Sequence, residues 1–250
     1  MVNKVAWITG AGSGIGEASA IKLSEEGFIV VLSGRTKQAL DSVASKCKGQ
    51  ASVKPLDVSN SEDVEGVFKN IISDYGRIDV LVASAGLNAK NRNWHNVSDE
   101  DFDQIIKIDL NGVFYTNRLV LEKMKEQREG LIINISSWAG KYVTTLTGPA
   151  YTAAKHGVNA LTEGINMEAG HFGVRACAIC PGEVATPILD KRPIPVSKED
   201  KEKMVQPEDC AETVAFLAKL DPRVCINEIT ISPTWNRLYI AGLTDQIPKK

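Results

Sequence analysis

The sequence predicts an α/β protein: a doubly wound parallel sheet of about seven strands with helices on both faces, a three-layer αβα arrangement. Three observations predict it. Short apolar runs alternate with amphipathic stretches along the whole chain. The run Ile78 to Ala83 is apolar without alternation, as a strand buried on both faces requires. The spacing between successive runs fits repeated β-α-β units, whose crossovers put helices on both sides of a sheet. The 250 residues show no linker and no internal repeat, so one domain over 1–250 is expected.

The elements follow in order. Val5 to Thr9 is a strand and Ile15 to Glu26 has helical spacing. Phe28 to Ser33 is the second strand, with a helix near Lys37 to Lys46. Ala51 to Leu56 is the third strand, ending at Asp57. Ser61 to Tyr75 reads as a helix capped by Ser61 or Asn60. Ile78 to Ala83 is the fourth strand, and Ser98 opens one long helical stretch reaching Arg128. Leu131 to Ser136 is a strand, Ala150 to His171 a helix, and Val174 to Cys180 a strand. Pro207 to Leu220 is a helix with proline at its start, and Ile226 to Ser232 is the last strand. The one long irregular segment, 186–206, carries a charge run and three prolines. A loop of that length beyond a strand's carboxyl end is expected to be a lid over a ligand.

Composition narrows the function. With 29 basic and 31 acidic side chains the net charge is −2, which lacks the basic excess of nucleic-acid binders. No apolar run approaches the roughly 18 residues of a membrane helix. The first strand follows Met1 so closely that no signal peptide is expected, and the expected location is cytoplasmic. The five cysteines do not form a disulfide framework. Cys177 and Cys180 fall three apart on a strand, so they point to opposite faces, and no metal site is expected. His95, His156 and His171 share no metal spacing.

The turn Thr9-Gly10-Ala11-Gly12-Ser13-Gly14-Ile15-Gly16 joins the first strand to the first helix, the context of a phosphate cradle. Its register is G-x-x-x-G-x-G on Gly10, Gly14 and Gly16, and no Walker G-K-[ST] follows. The second strand ends at Gly34-Arg35, with no acid to meet a ribose 2′-hydroxyl. Arg35 suits a 2′-phosphate, so NADP(H) is preferred, as a preference over NAD(H) rather than its exclusion. Tyr151 and Lys155 lie four apart on one helical face. A phenol with a reference pKa of about 10 needs roughly 4 kcal/mol of help to lose three units. The Lys155 ammonium supplies part, and partial burial and the charge of an oxidised nicotinamide are expected to supply the rest.

With Ser136-Ser137, Asn111 and Pro181-Gly182-Glu183-Val184-Ala185-Thr186, the chain resembles the short-chain dehydrogenase/reductase family. Asp57-Val58 and Ala85-Gly86 add to the match, and the motifs occur in the family's order. The resemblance implies a Rossmann-type sheet of order 3-2-1-4-5-6-7 and hydride transfer with Tyr151 as general acid or base. It implies that Ser137 orients a substrate carbonyl, Lys155 holds the nicotinamide ribose, and Asn111 anchors a water in the proton relay. Gly10, Gly12, Ser13, Gly14, Ile15 and Gly16 would cradle the phosphates. Asp57 and Val58 would meet the adenine. Ala85, Gly86, Pro181, Gly182, Val184 and Thr186 would line the rest of the cofactor site. The sequence departs from the pattern at Ser84, in the Ser137-to-Tyr151 spacing, which leaves Ser136 as a rival, in the shorter loop, and at the C-terminus. That C-terminus lacks the glycine-rich ending of 3-oxoacyl reductases and looks more like the NADP-dependent subgroup acting on serine and 3-hydroxy acids.

The expected substrate is therefore a small alcohol or carbonyl compound: a 3-hydroxy acid, a ketone or an aldehyde. Candidate anion holders are Lys191, Arg192 and Arg237, and Trp94, His95 and Trp138 are candidates for a wall of the substrate site. The rivals are a 3-oxoacyl thioester reductase and a non-enzymatic dinucleotide sensor. The resemblance also implies a homodimer or homotetramer.

Overall fold

The computed structural model describes residues 4–192 and 195–240, without the side chains of Lys191, Leu238 and Ile240. Seven parallel strands form one sheet in the order β3-β2-β1-β4-β5-β6-β7. They are β1 Val5–Thr9, β2 Ile29–Ser33, β3 Ala51–Val53, β4 Val80–Ala83, β5 Gly130–Ile135, β6 Val174–Pro181 and β7 Glu228–Ile231. This is the Rossmann-type order the resemblance implies. Chain order reverses between β1 and β4, where Thr9 pairs with Ala83, so a ligand crevice is expected beyond those two strand ends.

Each inner strand alternates its side chains between two apolar layers. Ala6 and Ile8 of β1, with Val80 and Val82 of β4, pack with residues of α1 Gly14–Glu25, α2 Lys37–Ala44 and α8 Pro207–Lys219. Val5, Trp7 and Leu81 pack on the other face. Their partners come from α3 Ser61–Tyr75, α5 Gly112–Gln127 and α6 Pro149–Ala169. Burial on both faces explains why these strands read as continuous apolar runs. Cys177 joins the first layer, while Cys180 meets Asn159 of α6 on the second, so the two cysteines do face opposite ways.

Several boundaries differ from the expectation. β3 stops at Val53, and the Pro55 nitrogen, which has no N–H, falls on the open side of this edge strand, where no ladder bond is lost. Lys54 and Leu56 still donate to Leu32 and Gly34 on either side of it. Asn60, not Ser61, caps α3 by accepting from Glu62 and Asp63. The stretch from Ser98 to Arg128 is helical from Asp99 to Gln127, as expected, but not α-helical throughout. α4 Asp99–Ile106 and α5 are joined by a π turn over Lys107–Asn111, whose extra residue rotates Asp109 into the interior. The segment 186–206 is less irregular than its sequence suggests. It holds a 3₁₀ turn at Pro187–Lys191 and a short helix, α7 Lys198–Glu202, capped by Ser197.

Leu81 sits at the centre of the sheet with no exposed surface. Leu81→Ala is expected to cost about 2–5 kcal/mol, read as a lowered urea midpoint with an unchanged slope.

Candidate active site

A cavity of about 530 Å³ opens at the carboxyl edge of the sheet, over the β1/β4 reversal. The turn after β1 forms one wall. Gly10 has φ +66°, and a Cβ there would lie 2.7 Å from the Ala85 nitrogen, so the two backbones meet where only glycine fits. Gly12, Ser13, Gly14 and Ile15 line the cavity. Gly16 does not: it packs against Gly10, where a Cβ would come within 2.3 Å of the Gly10 carbonyl oxygen. Ser13 is the N-cap of α1 but makes no side-chain cap bond. The first-turn N–H groups are thus available to an anion.

Arg35, Asp57 and Val58 line the far end of this wall. Burial opposes ionisation of Asp57. Hydrogen bonds from the Ser59 N–H and hydroxyl, with Arg35 and Lys107 nearby, nevertheless hold its carboxyl below the usual range. Ala85, Gly86, Pro181, Gly182, Val184 and Thr186 complete the lining. Thr186 faces Gly14 closely enough that a Cβ on Gly14 would lie 3.1 Å from its methyl group.

The chemically active end lies between β5 and α6. Ser137, Tyr151 and Lys155 all line the cavity there. Ser136 also lines it, but its hydroxyl donates to the Lys155 carbonyl and its N–H to Ile179, so it ties β5 to its neighbours. Ser137 is the serine that faces the Tyr151 phenol. Lys155 is buried, donates to the Ile135 carbonyl at 3.0 Å and lies 5.4 Å from the centre of the Tyr151 ring.

Asn111 is not among the residues lining the cavity. Asp109, two residues earlier, is not among them either, but the π turn sets it against Lys155, which does line the cavity. Asp109 is fully buried, accepts from the Leu87 N–H at 2.8 Å and sits 3.5 Å from the Lys155 ammonium. Gly86 makes room for this pair, since a Cβ there would stand 3.1 Å from the Asp109 carboxylate. Sequence spacing concealed Asp109, because its inward direction depends on the extra residue in the turn.

The electrostatics correct one expectation. Burial does not help Tyr151 to ionise; it is the strongest influence on the phenol and pushes its pKa up. Lys155 pulls it down, Asp109 pushes it up again, and Ser137 and Arg92 draw it down, with the balance above the ordinary value. For Lys155, burial opposes the charge, but Asp109 and then Tyr151 more than offset it and hold the ammonium above its usual range.

Three further expectations about the substrate end need revision. Arg192 lines the cavity, but its guanidinium donates to Glu183 at 2.7 Å. Arg237 grips the same carboxylate at 2.6 Å and 2.9 Å, so neither cation is disengaged. These bonds hold Glu183 below its usual range against its burial. The Lys191 side chain lies outside the described residues. Trp94 is 86% exposed and His95 is exposed, so only Trp138 of that trio forms a wall. Sequence reasoning missed Arg92, which is buried, lines the cavity and interacts with Tyr151.

A glycine-only turn over the switch point of a parallel sheet, facing a tyrosine whose partner is a buried lysine, defines an α/β oxidoreductase. The comparisons agree. Residues 4–194 match the sequence model of the short chain dehydrogenase family, and the chain belongs to that family. It is 38% identical over 235 residues to an uncharacterized oxidoreductase of Staphylococcus aureus, covering 93% of this chain and 98% of that one. Among solved structures it resembles an alcohol dehydrogenase of Thermococcus sibiricus complexed with 5-hydroxy-NADP. The TM-score is 0.83 and the identity 30%, with 94% and 98% of the two chains covered. A closed serine dehydrogenase complexed with NADP+ gives a TM-score of 0.84 at 28% identity, covering 92% and 94%. A 3-ketoacyl-(acyl-carrier-protein) reductase of Brucella melitensis complexed with NADH gives 0.84 at 29% identity, covering 94% and 99%.

Glu183 ties down the segment 186–206 through Arg192 and the chain near Asn236 through Arg237. Glu183→Ala would leave two cations facing each other, and limited trypsin digestion is expected to cut within 192–203 at least severalfold faster than in the wild type.

Proposed function

We propose that this protein transfers hydride between NADP(H) and a small alcohol or carbonyl compound, with Tyr151 as general acid and base. The observation that carries this reading is the convergence of Ser137, Tyr151 and Lys155 in the cavity that the glycine turn opens onto. The residues fit the dinucleotide. Gly10 to Gly14 leave a cradle that a side chain would fill, and α1 presents its N-terminus to a pyrophosphate. Arg35, exposed at the rim, suits the 2′-phosphate of NADP(H), and Asp57 and Val58 suit the adenine. The NADP-complexed neighbours support this preference, and the NADH complex among them argues that it is a preference only.

When bound, the dinucleotide supplies or accepts the hydride. The protein supplies the rest. Ser137 holds the substrate oxygen beside Tyr151. The phenol gives its proton to that oxygen in reduction and takes one from it in oxidation. Lys155, anchored by the Ile135 carbonyl, is placed to steady the phenolate and the nicotinamide ribose. We assign the lid role to 186–206, whose base at Thr186 faces the glycine turn. The buried Trp138 N–H has no protein partner among the described residues, and Arg92 adds a cation to the same end. Both favour a substrate with a second polar or anionic group, such as a 3-hydroxy or 3-oxo acid, over a plain hydrocarbon ketone. The sensor reading is disfavoured because the three groups are not only present but assembled. A homodimer or homotetramer acting in the cytoplasm completes the proposal.

Tyr151→Phe is expected to reduce turnover of small ketones, aldehydes and 3-oxo acids by roughly 100-fold or more, with NADPH affinity nearly unchanged. Comparable turnover would contradict the mechanism. Arg35→Asp is expected to move the cofactor preference toward NADH, and an unchanged ratio of NADPH to NADH affinity would show that Arg35 does not read the phosphate.

A further inference from the structure

We propose that Asp109 is a positioning residue whose carboxylate, paired with Lys155 behind the cavity lining, keeps Tyr151 loaded with its proton and so sets the site for carbonyl reduction. This rests on the function proposed above for Tyr151.

The geometry is specific. Asp109 is 0% exposed, and the π turn, rather than a regular helix, directs it inward. One carboxylate oxygen accepts from Leu87, which fixes the group. The other lies 3.5 Å from the Lys155 ammonium, which in turn donates to Ile135. Gly86 keeps the contact open, because a Cβ there would stand within 3.6 Å of both charged groups. The pair is therefore built from four chain segments: the π turn, α6, the end of β5 and the loop after β4.

Its consequence follows from charge. A lone buried ammonium beside a phenol favours the phenolate. An anion against that ammonium cancels much of its field at the phenol and favours the neutral form. The groups acting on Tyr151 from the surrounding elements are Lys155 on its own helix, Asp109 on the π turn, Arg92 after β4 and Ser137 after β5. Cys180 of β6 is the remaining titratable neighbour of Lys155. Of these, Asp109 is the one carboxylate, and it stands 3.5 Å from the Lys155 ammonium. The phenol accordingly stands above its ordinary pKa, so the protonated form persists into alkaline solution. Reduction uses that form. The substrate carbon gains a hydride with its electron pair, the carbonyl π pair moves to oxygen, and that oxygen takes the Tyr151 proton. Solvent then returns a proton to the phenolate. Oxidation needs the phenolate at the outset and is expected to rise only at alkaline pH.

The test reads Tyr151 directly, without cofactor or substrate. The ultraviolet absorbance of tyrosinate is titrated in the wild type and in Asp109→Asn. The matching Tyr151→Phe protein serves as the blank in each background. Asp109→Ser provides a second neutral variant should the first fold poorly, and circular dichroism confirms folding. The expected result is a Tyr151 ionisation about one to three pH units lower in the neutral variants. The rising limb of oxidative kcat/KM should move to lower pH by the same amount. An ionisation at the same pH with and without Asp109 overturns the proposal, even if activity falls, because a purely structural role would lower activity without moving the titration. If the shift occurs but no carbonyl substrate is turned over, the positioning role stands and the proposed reaction falls.

Discussion

Lys155 carries an ammonium into a region with almost no solvent, and such a charge is costly unless it is paired and hydrogen-bonded. Its compensation comes from elements far apart in sequence: the Ile135 carbonyl at the end of β5, and Asp109 in the π turn. Those elements meet only because parallel strands end at one edge of the sheet. The pair also explains local choices that otherwise look arbitrary. Gly86 has no Cβ because one would crowd the carboxylate, and the helix before α5 widens by one residue to turn Asp109 inward. The same edge holds the glycine turn, where the backbones of Gly10 and Ala85 approach too closely for any side chain. The glycine turn and the Tyr151–Lys155 pair are therefore placed by one sheet register.

A second charged cluster stands at the cavity wall, which Glu183 and Arg192 both line. Glu183 follows β6 and is gripped by Arg192 from the segment 186–206 and by Arg237 further along the chain. Arg237 also reaches Asp200 in α7. The segment is thus attached to the strand that carries the Pro181-Gly182 turn. Arg192 and Arg237 are both engaged in this cluster, and Arg92 is a further cation on the cavity lining.

The architecture was legible from the sequence because two-sided burial leaves a strong signal. Apolar runs such as Ile78 to Ala83, interrupted only by Asp79 near its start, read as interior strands in a chain of this pattern. The Tyr151 and Lys155 pair was legible because four-residue spacing on a helix fixes a shared face. Ser137 and Ser136 could not be separated by spacing, and the structure distinguishes them by what each hydroxyl meets. Asn111 is the amide in the expected region and stands off the cavity lining, while the π turn sets Asp109 against Lys155. No periodicity rule anticipates a single extra residue in a turn. The Arg192 partner was hidden for a related reason: Glu183 lies nine positions away in a turn, where charge pairing depends on the fold and not on helical spacing. The effect of burial on Tyr151 was misjudged in sign, since desolvation opposes a phenolate as it opposes any charge.

NADP(H) binding at this edge of the sheet is what the proposed Tyr151 chemistry requires. Trp138 lines the cavity, so intrinsic fluorescence reports occupancy. Titration of the purified protein with NADPH and with NADH measures that binding and requires no knowledge of the substrate. Saturable quenching by NADPH at lower concentration than by NADH is expected. Absence of a saturable response to either, or tighter binding of NADH, would contradict an NADP(H) site here.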